Sequence, residues 1–223
     1  MPVPDQTMFG PRPDTTGITY GEVRQINDDE TKVQYLKLRL DTFLISQIDK
    51  ISLRQQNGDP NIWSPFPLLA MTFLAIETVG HVICDVEKIK EDNANEHSKI
   101  IVTPVYYQID KTLSYSPTKT FKEAFERLHG KGSKKHLTKY SDVIHRYQRN
   151  TFNHGYQARG VFIHHGEPKA WILNEQQGTI VINPYLFWDE FKKAYDNIFA
   201  KISNGQEADW RQNALKYFQR LLD

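Results

Sequence analysis

"FPLLAMTFLAIETVGHVIC", Phe66 to Cys84, is the most apolar stretch of the chain, and its reading decides the fold. A bilayer-spanning helix needs about 20 predominantly apolar residues, so the length comes close to a membrane span. Glu77 and His81 interrupt it, and both are costly in hydrocarbon. A buried core helix accounts for the pattern better, and no membrane role is expected. Ser64-Pro65 supplies a cap and a first-turn proline. The helix reads as apolar almost all round to Cys84 and as continuing to about Glu91, so it should lie centrally among other helices.

Upstream, Val33, Leu36, Leu40, Phe43, Leu44, Ile48 and Ile51 recur at three- and four-residue steps, the pattern of one buried face on a long helix over Thr31 to Gln56. "NGDPNIWSP" breaks that helix, with Gly58 and Pro60 as punctuation. Residues 1–30 read as a loose N-terminal arm, with at most a short edge strand in "ITYGEVRQI". They lack the basic and apolar regions of a signal peptide.

Downstream, a solvated run precedes "IIVTPVYYQID", which leans extended although Pro104 opposes a central strand. The role of Glu91 to Ser116 stays unassigned. Ser116-Pro117 opens a further helix that Gly130 should close, and "HLTKYSDVIHRYQRN" resumes helical spacing with Leu137, Tyr140, Ile144 and Tyr147 on one side. Three short β-like runs follow, "GVFIHH", "KAWILNE" and "TIVIN", parted by turn signals, and predict a small antiparallel meander at about 160–183. Pro184 starts the next helix. A last one should bury Trp210, Leu215, Phe218 and Leu222. The expected architecture is mainly α, a helical bundle over residues 31–223 with the β-meander inserted near its C-terminal part.

The chain has 223 residues, which suits one domain with its own core. Lys and Arg total 28 against 27 for Asp and Glu, so no global field attracts polyanions and any nucleic-acid contact must be local. The single cysteine, Cys84, cannot form an internal disulfide, which points to a reducing compartment and a cytoplasmic setting.

The stretch that suggests chemistry is "RNTFNHGY", Arg149 to Tyr156, at the expected end of a helix. On a straight helix Arg149 and His154, five apart, would point about 140° away from each other. A helix end near Gly155 can turn His154 out of that register. His154 is then the acid/base candidate and Arg149 the stabiliser of a phosphate or a developing oxyanion.

Arginine, a polar neighbour, three further residues and a histidine, here Arg149, Asn150, Thr151-Phe152-Asn153 and His154, resemble the signature of the HEPN superfamily of helical-bundle ribonucleases and nucleotide-linked proteins. The apolar helix "LLAMTFLAIETVGHVI" also looks like that family's central helices. The resemblance implies a HEPN-like bundle and a metal-independent endoribonuclease without cofactor, in which two subunits of a homodimer pair their motifs. An RNA 2'-OH would attack the adjacent phosphate, and Asn150 would contact phosphate or orient Arg149. A toxin-antitoxin or anti-phage defence setting is implied by the same resemblance. His154-Gly155-Tyr156 is similar to HEPN toxins whose nucleotidyltransferase antitoxin modifies the tyrosine, so Tyr156 is a candidate nucleotidylation site. The long insertion and the β-meander depart from those compact toxins.

The basic run "HGKGSKKHLTK" places Lys131, Lys134, Lys135 and Lys139 just upstream of the motif, where they could attract RNA phosphates. Tyr147, Phe152 and Tyr106-Tyr107 could stack bases or serve as core. Arg159 to His164 repeats the motif spacing, but with glycine after the arginine and on an expected strand. His164 and His165 should face opposite ways on that strand and not share a metal. His81 reads as a core histidine with Glu77 as its partner one turn away. A P-loop, a dinucleotide fingerprint and a zinc-type cysteine pattern are absent from the sequence. The rival reading is a binding module that uses an arginine-lined cleft for a nucleotide or a protein without cleavage.

Overall fold

The computed structural model describes residues 3–14, 16–58, 65–84, 161–174 and 179–223. Within them the protein is mostly helical, with two small sheets. The helices are α1 (Tyr20–Arg24), α2 (Asp29–Leu40), α3 (Ser46–Gln56), α4 (Phe66–Ile83), α5 (Pro184–Ser203) and α6 (Ala208–Leu222). Strands β1 (Met8–Pro11) and β2 (Gly17–Thr19) form an antiparallel hairpin, and β3 (Val161–Ile163), β4 (Trp171–Asn174) and β5 (Thr179–Ile182) form the second sheet.

Helix α4 is the spine that its composition predicts. It packs against α3, α5 and α6, and Leu68, Ala75, Ile76, Val79, Val82 and Ile83 are wholly enclosed. Pro65 takes the N-cap position and Pro67 lies in the first turn, where a missing N–H costs nothing. The helix ends at Ile83 rather than near Glu91, because Cys84 turns extended. The carbonyl of Ile83, one of the last four without a helical partner, accepts a hydrogen bond from the buried Asn213 amide on α6 at 3.0 Å. The spine is thereby tied at its end to the last helix.

The long helix expected over Thr31 to Gln56 is present but not uniform. Asp28 caps α2 by accepting from the Thr31 N–H, and the chain runs through a π-turn, Asp41–Ile45, into α3. Val33, Leu36, Leu40 and Ile48 are buried as expected, whereas Phe43 is 56% exposed. The π-turn explains both. Leu40 and Ile48 are eight residues apart and would lie about 80° apart on a straight α-helix; absorbing one residue in a wider turn brings them within about 20°. Phe43 is carried outward by the same turn. Gly58, at φ 72°, takes the left-handed position just past α3.

The described part of the segment expected as a loose arm, residues 3–14 and 16–30, is anchored to the core instead. Phe9 is fully enclosed, making edge contacts with Tyr20 and Phe218, and Val23 is enclosed as well. The Arg39 guanidinium on α2 lies 4.7 Å from the Phe9 ring, 5.3 Å from Phe43 and 5.7 Å from Tyr20, and donates to the Phe9 carbonyl. Thr19 and Glu22 form a reciprocal capping box that starts α1. Arg24 then pairs with Asp5 and donates to the carbonyls of Val3 and Leu222, joining the first segment to the last helix. The composition suggested looseness because prolines and polar residues surround a few anchors, and the anchors decide.

The second sheet corrects the meander. Its order is β3-β5-β4, with β5 central, antiparallel to β4 and parallel to β3. A meander would have put β4 in the middle. The connection after β3 is long enough to carry the chain past the β5 position, so that β5 returns between its two predecessors. Asn183, buried at the end of β5, holds this arrangement. Its Nδ2 donates to the carbonyls of His165 and Glu167 at 2.9 and 2.7 Å, while its Oδ1 accepts from the N–H groups of Tyr185 and Leu186 and caps α5. Helix α5 starts at Pro184 as expected; on α6 Phe218 and Leu222 are buried, and Trp210 and Leu215 half-buried.

Candidate functional site

The residues on which the sequence reading places chemistry, Arg149, Asn150, His154 and Tyr156, lie outside the described residues, as do Lys131, Lys134, Lys135 and Lys139 and the aromatic candidates Tyr106, Tyr107, Tyr147 and Phe152. The described fold bounds the motif segment from both sides. The chain leaves it at Cys84, on the end of the central helix, and re-enters at Val161 on an edge strand of the mixed sheet.

Four of the other candidates can be placed. Glu77 and His81 are half-buried on α4. His164 and His165 are exposed and lie just beyond β3, so the alternation of a strand no longer governs them. Their rings stack at 6.1 Å with 14° between planes instead of facing opposite ways, and His164 Nδ1 lies 3.6 Å from a Glu167 carboxylate oxygen. Among the described residues no group of three His, Cys, Asp or Glu side chains is arranged to hold a metal ion.

A polar cluster between α5 and the helices facing it was not legible as such in the sequence. Asp41, first residue of the π-turn, accepts from the Tyr195 hydroxyl and from Lys37 Nζ, each at 2.7 Å. Asp49 on α3 accepts from Trp188 Nε1 at 2.7 Å and from Lys192 Nζ at 2.8 Å, and Lys192 also pairs with Asp189. Both carboxylates thus face α5, whose Trp188, Phe191, Tyr195 and Phe199 form a continuous aromatic ridge. Burial, then the charge of Asp41 and its hydrogen bond, push the Tyr195 phenol far above its ordinary value. Burial opposes the charge on Lys192, but the hydrogen bond and attraction of Asp49, and then of Asp189, outweigh it and raise the pKa.

Each donor in this cluster has a carboxylate, and Asp41 and Asp49 have two donors each, so its chemistry is that of a clamp between helices and not of a poised acid or base. The signal that could have found it is the ridge itself. A Trp and a Tyr on a helix's buried stripe both carry a donor that must be satisfied inside. The two aspartates of the facing helix are the partners. No protein-family model, curated protein or solved structure matches the chain.

Proposed function

We propose that the chain is a metal-independent endoribonuclease of HEPN type, cutting RNA at a composite site between two copies of itself, in a toxin-antitoxin or anti-phage defence setting in the cytoplasm. The observation that carries this reading is the run Arg149-Asn150-Thr151-Phe152-Asn153-His154. Described residues that are mostly helical and built round one apolar helix, α4, agree with the bundle such a motif needs.

In the proposed reaction the RNA 2'-oxygen bonds to the adjacent phosphorus and the bond to the 5'-oxygen breaks, leaving a 2',3'-cyclic phosphate. One His154 takes the proton from the 2'-OH and the other, from the second subunit, gives one to the departing 5'-oxygen. Arg149 stabilises the negative charge that builds on the phosphoryl group, and Asn150 holds phosphate or Arg149 itself. Lys131, Lys134, Lys135 and Lys139 draw in the RNA backbone. Tyr156 is the point at which a nucleotidyltransferase or other antitoxin partner would silence the enzyme.

The test is cleavage of a mixed RNA in excess EDTA by the wild type and by His154→Ala, with the product ends identified and the mass of Tyr156-containing peptides measured. The expected result is cyclic phosphate ends from the wild type and loss of cleavage in the variant. An unmodified wild type that leaves RNA intact overturns the nuclease reading and leaves the binding module.

A further inference from the structure

We draw no further inference here: the strongest candidate, the exposed apolar side chains of Met8 on β1 and Phe43 on the π-turn, has nothing in the structure to show what covers it.

Discussion

Asn183→Asp separates the two things that Asn183 does. The native amide accepts from two N–H groups at the start of α5 and donates to two carbonyls of the β3–β4 connection. Alanine removes both functions. Loss of the cap costs about 1 kcal/mol, and each carbonyl left without its donor about 1 kcal/mol more. The sum of about 3 kcal/mol corresponds to a Tm lower by about 6–12 °C for a chain of this size. Aspartate keeps the acceptor, and its charge at a helix N-terminus adds roughly 0.3–1 kcal/mol of stabilisation. It also loses both donors and turns an anionic oxygen on the carbonyls of His165 and Glu167. At neutral pH Asn183→Asp should therefore be less stable than the wild type by about 1–2 kcal/mol, although it is the better cap. Urea unfolding followed by circular dichroism gives the global figure. Hydrogen exchange gives the local one, at the His164 amide, which donates to Ile182, and the Asn183 amide, which donates to Ala170. An aspartate variant as stable as the wild type, with unchanged exchange at both amides, would refute the tie between β5 and the β3–β4 connection.

Tyr195→Phe should cost about 1.5–3 kcal/mol, the range for a hydrogen bond to a charged group. Because the folded phenol titrates far above the unfolded value of about 10, the wild type keeps this contribution in full below pH 10 and loses it as pH rises. Unfolding free energies from urea titrations between pH 9 and 11 should fall less steeply in the variant, by up to about 1.4 kcal/mol per pH unit, with Tyr185 and Tyr217, also raised by burial, leaving a residual slope in both. Equal slopes would show that Tyr195 is not held protonated. Phe9→Ala should destabilise by about 3–5 kcal/mol in thermal unfolding, as for other buried aromatic side chains, whereas a loose arm would lose under about 0.5 kcal/mol. Deleting Phe43 should convert the π-turn to ordinary helix and leave a folded protein by circular dichroism, while deleting the exposed Gln34 in α2 should turn Val33 about 100° out of the core and unfold it. Equal damage from both deletions would sink the inserted-residue account.

What the sequence made legible was whatever depends on local pattern. The apolar density of Phe66 to Cys84 marked a core helix, and Pro184 marked the start of α5, because both features act within a few residues. The sheet order was not legible, since the same three β-like runs are compatible with β4 or β5 at the centre. The choice is made by Asn183 bonding back to residues 165 and 167. The packing of Phe9 and Tyr20 also escaped, because it rests on Arg39, a charged residue whose aromatic surroundings are assembled from three separate segments. Of the candidate site, the motif from Arg149 to Tyr156 is a sequence observation whose placement lies outside the described residues, and its chemistry stands on the experiment proposed for it.

The π-turn solves a counting problem between two helices. On α5, Trp188 and Tyr195 are seven residues apart, two turns of α-helix, so they lie within about 20° of each other on one face. Their acceptors, Asp49 and Asp41, are eight apart on the antiparallel partner, with Asp41 meeting Tyr195 and Asp49 meeting Trp188. On a straight helix those carboxylates would diverge by about 80°, and only one could face α5. The same divergence separates Leu40 from Ile48, each one residue before an aspartate, so one absorbed residue brings both the apolar and the acidic pairs into line. The turn is needed by the polar clamp as much as by the core. A substitution that straightened it without deleting a residue would leave either a buried indole or a buried phenol without its acceptor, and that penalty keeps the wider turn in place.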